Sequence, residues 1–325
     1  MNRRGADDGG HAGDPFAGVR LPAAKIQQQH SRSINAYLAD APSVFVWNRS
    51  KPLCDVPKIG IGSQPIDGGN YLFTELEKEG FLASEPTAAR FFHPWLGSRE
   101  FLYGETRWCL WLGNASVSDM AAMPCCQERA NAVRDYRLSS KRRQTLKAAE
   151  SPQHFGTEII VKGSSVLVPK VSSERRRYIP LGFIGPETFS SDLVFLIPDA
   201  TLYHFGVLHS QFHNAWMRTV AGRLKSDYRY SGGIVYNNFI WPDPMPEQRA
   251  AIESCAQGVL NAREAHPGAT LADLYDPDKM PTDLLSAHKE LDAAVEAAYD
   301  VDFNGDEEKI VAHLFKLYAE KAGEL

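Results

Sequence analysis

The stretch Lys170-Val-Ser-Ser-Glu-Arg-Arg-Arg-Tyr178 concentrates side chains able to read base edges. A glutamate accepts a hydrogen bond from the amino group of cytosine, and an arginine donates two to guanine O6 and N7. In extended backbone, successive side chains alternate, so Glu174 and Arg176 would share one face while Arg175 and Arg177 take the other. The alternative is that Glu174 only neutralises its arginine neighbours. Lys170, Ser173, Glu174 and Arg176 are the candidate base-reading residues. A second set, Arg218, Arg223, Lys225, Tyr228 and Arg229, is spaced so that cations and backbone amides could grip a phosphate strand. Asp227 could instead pair with one of these arginines and fix a turn. A third cluster, Lys141-Arg142-Arg143, offers Arg142 and Arg143 to phosphates or to solvent on a helix face.

Other chemistry is poorly supported. His209 and His213 stand four apart, a spacing that can bind a metal, but no glutamate lies between them in the zincin arrangement. Asp302-x-Asn304-x-Asp306 opens like a calcium loop, yet Glu307 replaces the turn glycine and His313 the bidentate glutamate, leaving a turn and a helix start. Asp278 with Glu307-Glu308-Lys309 mimics a nuclease spacing inside an acidic region that repels phosphates. The five cysteines include no Cys-x-x-Cys pair and suit a reducing compartment. No catalytic or metal-ligating residue is assigned.

The elements that must position these residues follow from pattern. The 325 residues suggest two domains and a tail. Net charge is −5, but residues 129–178 carry twelve Lys/Arg against four Asp/Glu, whereas 241–325 carry seven against eighteen. That asymmetry permits a basic patch on an acidic protein. Residues 1–30 lack an apolar period and read as a disordered tail. From 31 to 241, short strand candidates occur at 44–47, 71–73, 108–112, 159–161, 166–168, 178–183 and 193–197. Two helices interrupt them, at about 128–150 and 208–224. The second carries Phe205, Leu208, Phe212, Trp216, Val220 and Leu224 as one apolar stripe. The prolines of Trp241-Pro-Asp-Pro-Met-Pro246 mark a boundary to helices near 246–265, 283–299 and 306–321. The fold class is α+β, a mixed short-stranded domain followed by a small helical domain. No apolar run reaches the roughly 18 residues of a membrane helix, and the N-terminus has no secretory core, so a cytoplasmic location is expected.

Several extended stretches carry a family resemblance. They are Asn48-Arg-Ser-Lys-Pro-Leu-Cys-Asp-Val-Pro57, Asp67-Gly-Gly-Asn70, Arg107-Trp-Cys-Leu-Trp-Leu112 and Pro169–Pro180. Asp192–Gly206, Ala215-Trp-Met-Arg218, Gly222–Ser231 and Val235-Tyr-Asn-Asn-Phe239 continue the pattern. Together they resemble MmeI-like (type IIL/IIG) restriction–modification DNA adenine methyltransferases over about residues 31–325. Asn237-Asn-Phe-Ile-Trp-Pro242 departs from that family's Asn-Asn-Phe-Pro-Trp-Pro at one position. The resemblance is to the later half only, the target-recognition domain and helical C-terminal part.

The resemblance implies double-stranded DNA as partner and strengthens the base-reading role of Glu174 and Arg176. It also implies S-adenosylmethionine as the cofactor of an associated catalytic domain, with no cofactor expected in this chain. An adenine methyltransferase needs a Phe-x-Gly-x-Gly loop for the methyl donor and an Asn/Asp-Pro-Pro-Tyr/Phe loop for the flipped base. Phe183-Ile-Gly-Pro-Glu187 is a near miss lacking the second glycine, and the second motif does not occur. Because Met1 precedes only the recognition half, the catalytic domain is expected on a separate methyltransferase or endonuclease chain, or lost. The competing readings are an intact methyltransferase or nuclease with unrecognised motifs, and a non-catalytic interaction protein.

Overall fold

The structure, a computed structural model, describes residues 34–323. The expected tail of residues 1–30 lies outside them. After an irregular segment the chain forms β1 (Gly60–Ile61), β2 (Leu72–Phe73), α1 (Glu75–Ser84), β3 (Phe92–Leu96), α2 (Ser98–Tyr103) and β4 (Trp108–Leu110). Helices α3 (Val117–Ala122), α4 (Pro124–Leu138) and α5 (Arg143–Ala148) follow. Next come β5 (Ser165–Pro169), β6 (Val171–Ser172), β7 (Gly182–Ile184), β8 (Phe189–Ser190) and β9 (Val194–Pro198). The chain continues through α6 (Leu202–His209), α7 (Gln211–Val220), β10 (Gly222–Leu224) and β11 (Asp227–Arg229). It ends in α8 (Pro246–Glu264), α9 (Leu271–Leu274), α10 (Thr282–Ala298) and α11 (Glu307–Ala322). The architecture is α+β.

The strands make three small sheets, ordered β1-β9-β5-β7, β2-β4-β3-β8 and β10-β11-β6. In the first, alternation sends Val166 and Val168 of β5 into the large core and Leu167 into a smaller one on the opposite face. The sheet is therefore covered on both sides. The second sheet packs Phe73, Phe92, Trp95 and Leu110 against Met120, Cys126, Ala130 and Val133 of α3 and α4.

Helix starts follow local chemistry. Thr74 with Glu77, and Ser116 with Asp119, close reciprocal caps on α1 and α3. Pro124 and Pro246 sit in the first turns of α4 and α8, where the missing N–H has no partner to lose. Asp306 accepts from the N–H groups of Glu308 and Lys309, so the calcium-like stretch is indeed the cap of α11.

Several expected elements change. The helix expected over 128–150 starts at Pro124 and breaks after Leu138 into α4 and α5. The helix expected over 208–224 is two helices separated at Ser210, whose backbone is extended at φ −76° and ψ 164°. Phe205, Leu208, Phe212, Trp216 and Val220 are all buried, but Leu224 belongs to β10 and is half exposed. Residues 44–47 and 159–161 form no strand, and of 178–183 only Gly182 and Phe183 are extended into β7.

One apolar core runs across the proline boundary. Phe205, Leu208, Phe212 and Trp216 share it with Ile252, Leu291, Ile310, Leu314, Phe315 and Tyr318. Gly206 permits the approach of α6 to α8, since a β-carbon there would stand 2.8 Å from Ile252 and 3.2 Å from Ala256.

Candidate nucleic-acid interface

Sheet β10-β11-β6 joins the two basic segments that the chain separates. Ser172 pairs with Tyr228 and Val171 with Arg229, while Arg223 pairs with Tyr228 across the hairpin. The Tyr230 N–H donates to the Lys170 carbonyl at 2.8 Å and extends the ladder. Lys225 and Ser226 form the two-residue hairpin turn. Lys225 holds φ at 58°, a left-handed conformation costing a non-glycine residue about 1–2 kcal/mol. Its side chain is exposed at the tip of the hairpin.

Residues 173–176 are not extended, which corrects the alternation expected there. The Arg176 N–H donates to the Ser173 carbonyl at 3.1 Å, closing a turn directly after β6. A polar stretch with a serine that can turn the backbone has no apolar face to hold it in a sheet. The turn still separates its cations. Arg175 pairs with Asp278, and Arg177 lies over Tyr178 and reaches Gln211 at 3.4 Å. Arg176 makes no side-chain hydrogen bond or ion pair among the described residues. Glu174 stands 3.9 Å from Arg223, with both side chains about half exposed, so this pair is worth little in water. Glu174, and not Asp227, is therefore the acid that approaches the hairpin.

Two residues expected at phosphates have other work. Arg218 makes a bidentate pair with Glu307, both bonds at 2.8 Å, and donates to the Arg177 carbonyl at 2.8 Å. It is a tie between α7, α11 and the turn. Tyr228 is buried, and the Arg223 guanidinium covers its ring at 3.7 Å. Its role is to flatten and hold Arg223. Arg223 also donates to the Ser226 carbonyl at 2.9 Å.

Lys170 is half-buried over the Phe195 ring, and burial lowers its ammonium pKa against the attraction of Asp192. Arg229 and Lys225 are exposed and have no side-chain partner among the described residues. Arg142 and Arg143 are also exposed, but they open α5, which packs on α4 and joins no ladder with β6, β10 or β11. The structure thus groups Lys170, Ser173, Glu174, Arg176, Arg223, Lys225 and Arg229, and sets Arg142 and Arg143 on a different layer. Three acids that bond to residues 175–178 or to Arg218 were given no such role from sequence: Asp278, Asp292 and Glu307. Their signal was the acidic excess beyond residue 241, which ties down arginines of the recognition segment.

The histidines diverge. His213 bonds the Leu208 carbonyl at 2.9 Å and the Tyr230 hydroxyl at 3.0 Å, while His209 stacks on Tyr275 with the Arg263 guanidinium 3.1 Å away. Phe183-Ile-Gly-Pro-Glu187 does not fit a methyl-donor cradle. Phe183 is paired with Val166 inside the first sheet, Ile184 is buried, and Gly185 to Thr188 form a turn. Among the described residues no helix is long and apolar enough to cross a membrane.

Residues 40–243 match the MmeI target recognition domain, and residues 244–325 match the MmeI C-terminal domain. The chain belongs to the MmeI family. It is 40% identical over 289 residues to DNA methyltransferase A of Bacillus subtilis (strain 168), covering 89% of this chain and 33% of that one. The Type IIL restriction-modification enzyme MmeI, solved in complex with DNA, superposes with a TM-score of 0.87 at 40% identity. That match covers 90% of this chain and 39% of MmeI. The chain therefore spans between a third and two fifths of the length of these relatives. Two stretches that carry the MmeI resemblance meet in the structure: Asn238 accepts from Arg49 at 2.8 Å and donates to the Trp47 carbonyl at 2.8 Å. Leu53 donates to the Asn237 carbonyl at 2.9 Å. In this member of the MmeI family the Asn-Asn-Phe stretch pins a loop.

Proposed function

We propose that this chain reads a short duplex DNA site as the specificity part of an MmeI-like adenine-N6 methyltransferase. The observation that carries this is the convergence of β6, with the turn of residues 173–176 that follows it, and residues 222–229 at one small sheet, in a fold shared with an enzyme solved on DNA. Lys225, Arg229 and Arg223 hold the backbone, with Arg142 and Arg143 contributing from the α4–α5 layer, while Lys170 and Ser173 flank the reading turn as further base contacts. Glu174 and Arg176, presented by a turn, reach base edges in the major groove. Glu174 accepts from a cytosine amino group, and Arg176 donates to guanine O6 and N7. Methyl transfer, and the S-adenosylmethionine that supplies the methyl group, belong to a domain outside residues 34–323. The whole system works on cytoplasmic DNA.

The test is a binding profile across all single-base variants of a site selected from a random duplex pool. Glu174→Ala and Arg176→Ala are each expected to relax preference at one position by about 1–3 kcal/mol while unrelated DNA binds as before. Lys225→Ala should instead weaken every sequence alike and reduce the salt slope by about one. Unchanged base preference in both Glu174→Ala and Arg176→Ala would remove these residues from the reading role.

A further inference from the structure

We propose that the C-terminal helices are a positioning frame for the base-reading turn, with the Tyr178–Asp292 hydrogen bond as the pin that sets its geometry. This rests on the DNA-reading assignment above. The turn has two ends. Its start is fixed by the ladder, through Ser172 paired with Tyr228. Its far end is fixed entirely by groups from elsewhere. The Tyr178 hydroxyl donates to Asp292 Oδ2 at 2.6 Å, and its ring stacks on His288 with centroids 4.0 Å apart and planes at 16°. Asp292 Oδ1 accepts from the Gln211 N–H at 2.6 Å, the first amide of α7. One carboxyl thus joins the turn, α7 and α10.

A second tie runs through Arg218, which holds the Arg177 carbonyl while gripping Glu307 at the start of α11. Arg175 also meets Asp278, but both side chains are exposed and the pair adds little. Moving Tyr178 moves Arg176, two residues away, and a base contact tolerates errors well under 1 Å. Tyr178, Asp292 and Arg218 are positioning residues, since none of them faces the exposed surface of the sheet.

The frame carries a pH signature. Burial raises the Asp292 carboxyl to about 6, opposed by the hydrogen bonds from Tyr178 and Gln211 and by Arg177, and reinforced by Glu296. Lys289 and Asp302 line the same cleft, and His288, one turn before Asp292 on α10, faces the Tyr178 ring. The ionised carboxylate accepts both hydrogen bonds, whereas the protonated form gives up acceptor capacity to its own proton. Discrimination at the turn-read position should therefore fall as pH drops through about 6. Stability has the opposite sign. The folded-state pKa lies above the ordinary 3.8, so this group stabilises the fold below that value and its contribution is lost as pH rises to about 6. A merely structural contact would move specificity and stability together.

The experiment uses the full chain and duplexes carrying the sequence it selects from a random pool. Tyr178→Phe keeps the stack on His288 and loses the hydroxyl. It should lose about tenfold in discrimination, the size of one weakened base contact, only at the positions that Glu174→Ala and Arg176→Ala also relax. Asp292→Asn should flatten the dependence of discrimination on pH between 5 and 7, and remove the decline of melting temperature that Asp292 causes on going from about pH 4 to 6. Full discrimination in Tyr178→Phe, a loss spread evenly over all positions, or wild-type discrimination that is flat through pH 6 each overturns the pin. If Tyr178→Phe does not fold, the pH profile of Asp292→Asn decides alone. A pool that yields no site, or Glu174→Ala and Arg176→Ala that keep their preference, overturns the DNA-reading assignment and the pin with it. Shifted preference in those two with none in Tyr178→Phe overturns only the pin.

Discussion

Arg137→Met is expected to lower stability by about 4 kcal/mol or more, enough to shift melting by roughly 6 °C or more for a chain this long. Arg137 is fully buried, with no carboxylate bonded to it among the described residues. Its guanidinium donates to five backbone carbonyls, those of Pro65, Ile66, Ala148, Ser151 and His154, at 2.7–3.3 Å. Two loops from opposite sides of α4 close on that one side chain. Methionine fills the volume and strands all five acceptors, each a desolvated group costing about 1–3 kcal/mol when unpaired. The losses do not add fully, because the loops can open and admit water. Arg137→Lys keeps the charge but offers three donors from a point, against the five-donor plane of arginine, so it should restore about half of the loss. Thermal and urea unfolding of the three proteins measures this. A loss of only a degree or two in Arg137→Met would mean that the loops do not depend on the guanidinium.

Binding to duplex DNA should weaken by several hundredfold between 50 and 200 mM salt, following a log–log slope of about −4.5 for roughly five phosphate contacts. The number follows from sorting the cations by their partners. Arg218 and Arg137 are committed to partners within the protein, and Arg175 is paired with Asp278 at the surface. Lys225, Arg229, Arg142 and Arg143 are exposed with no side-chain partner among the described residues, and Arg223 is half exposed beside Glu174. Titration of a labelled duplex at several salt concentrations gives the slope directly. A slope near −1, or no binding at low salt, would exclude a phosphate-gripping surface. A slope near about −6 would mean that Arg175 and Arg218 leave Asp278 and Glu307 for the DNA.

Much of this protein was legible as sequence. Helix starts are local events, so Pro246 and the acid-capped start at Asp306 located the C-terminal helices to within a residue or two. The apolar stripe from Phe205 to Val220 marked the centre of the core, because burial of a whole helix face requires it. The extended resemblance identified the family from residues spread along the chain.

What sequence did not decide is which cations are free and where the backbone turns, and both depend on partners far away in the chain. Arg137 and Arg218 look like their basic neighbours until five carbonyls and Glu307 close around them. The break at Ser210 is invisible to periodicity, since the orphan amide it creates at Gln211 is satisfied only by Asp292, 81 residues later. The turn at Ser173–Arg176 likewise overrides strand alternation because its far end is held where Tyr178 bonds Asp292 of α10. Propensity and period act over a few residues, whereas a buried donor must be matched wherever the fold brings an acceptor. The tertiary structure therefore sorted the charges that the sequence could only count.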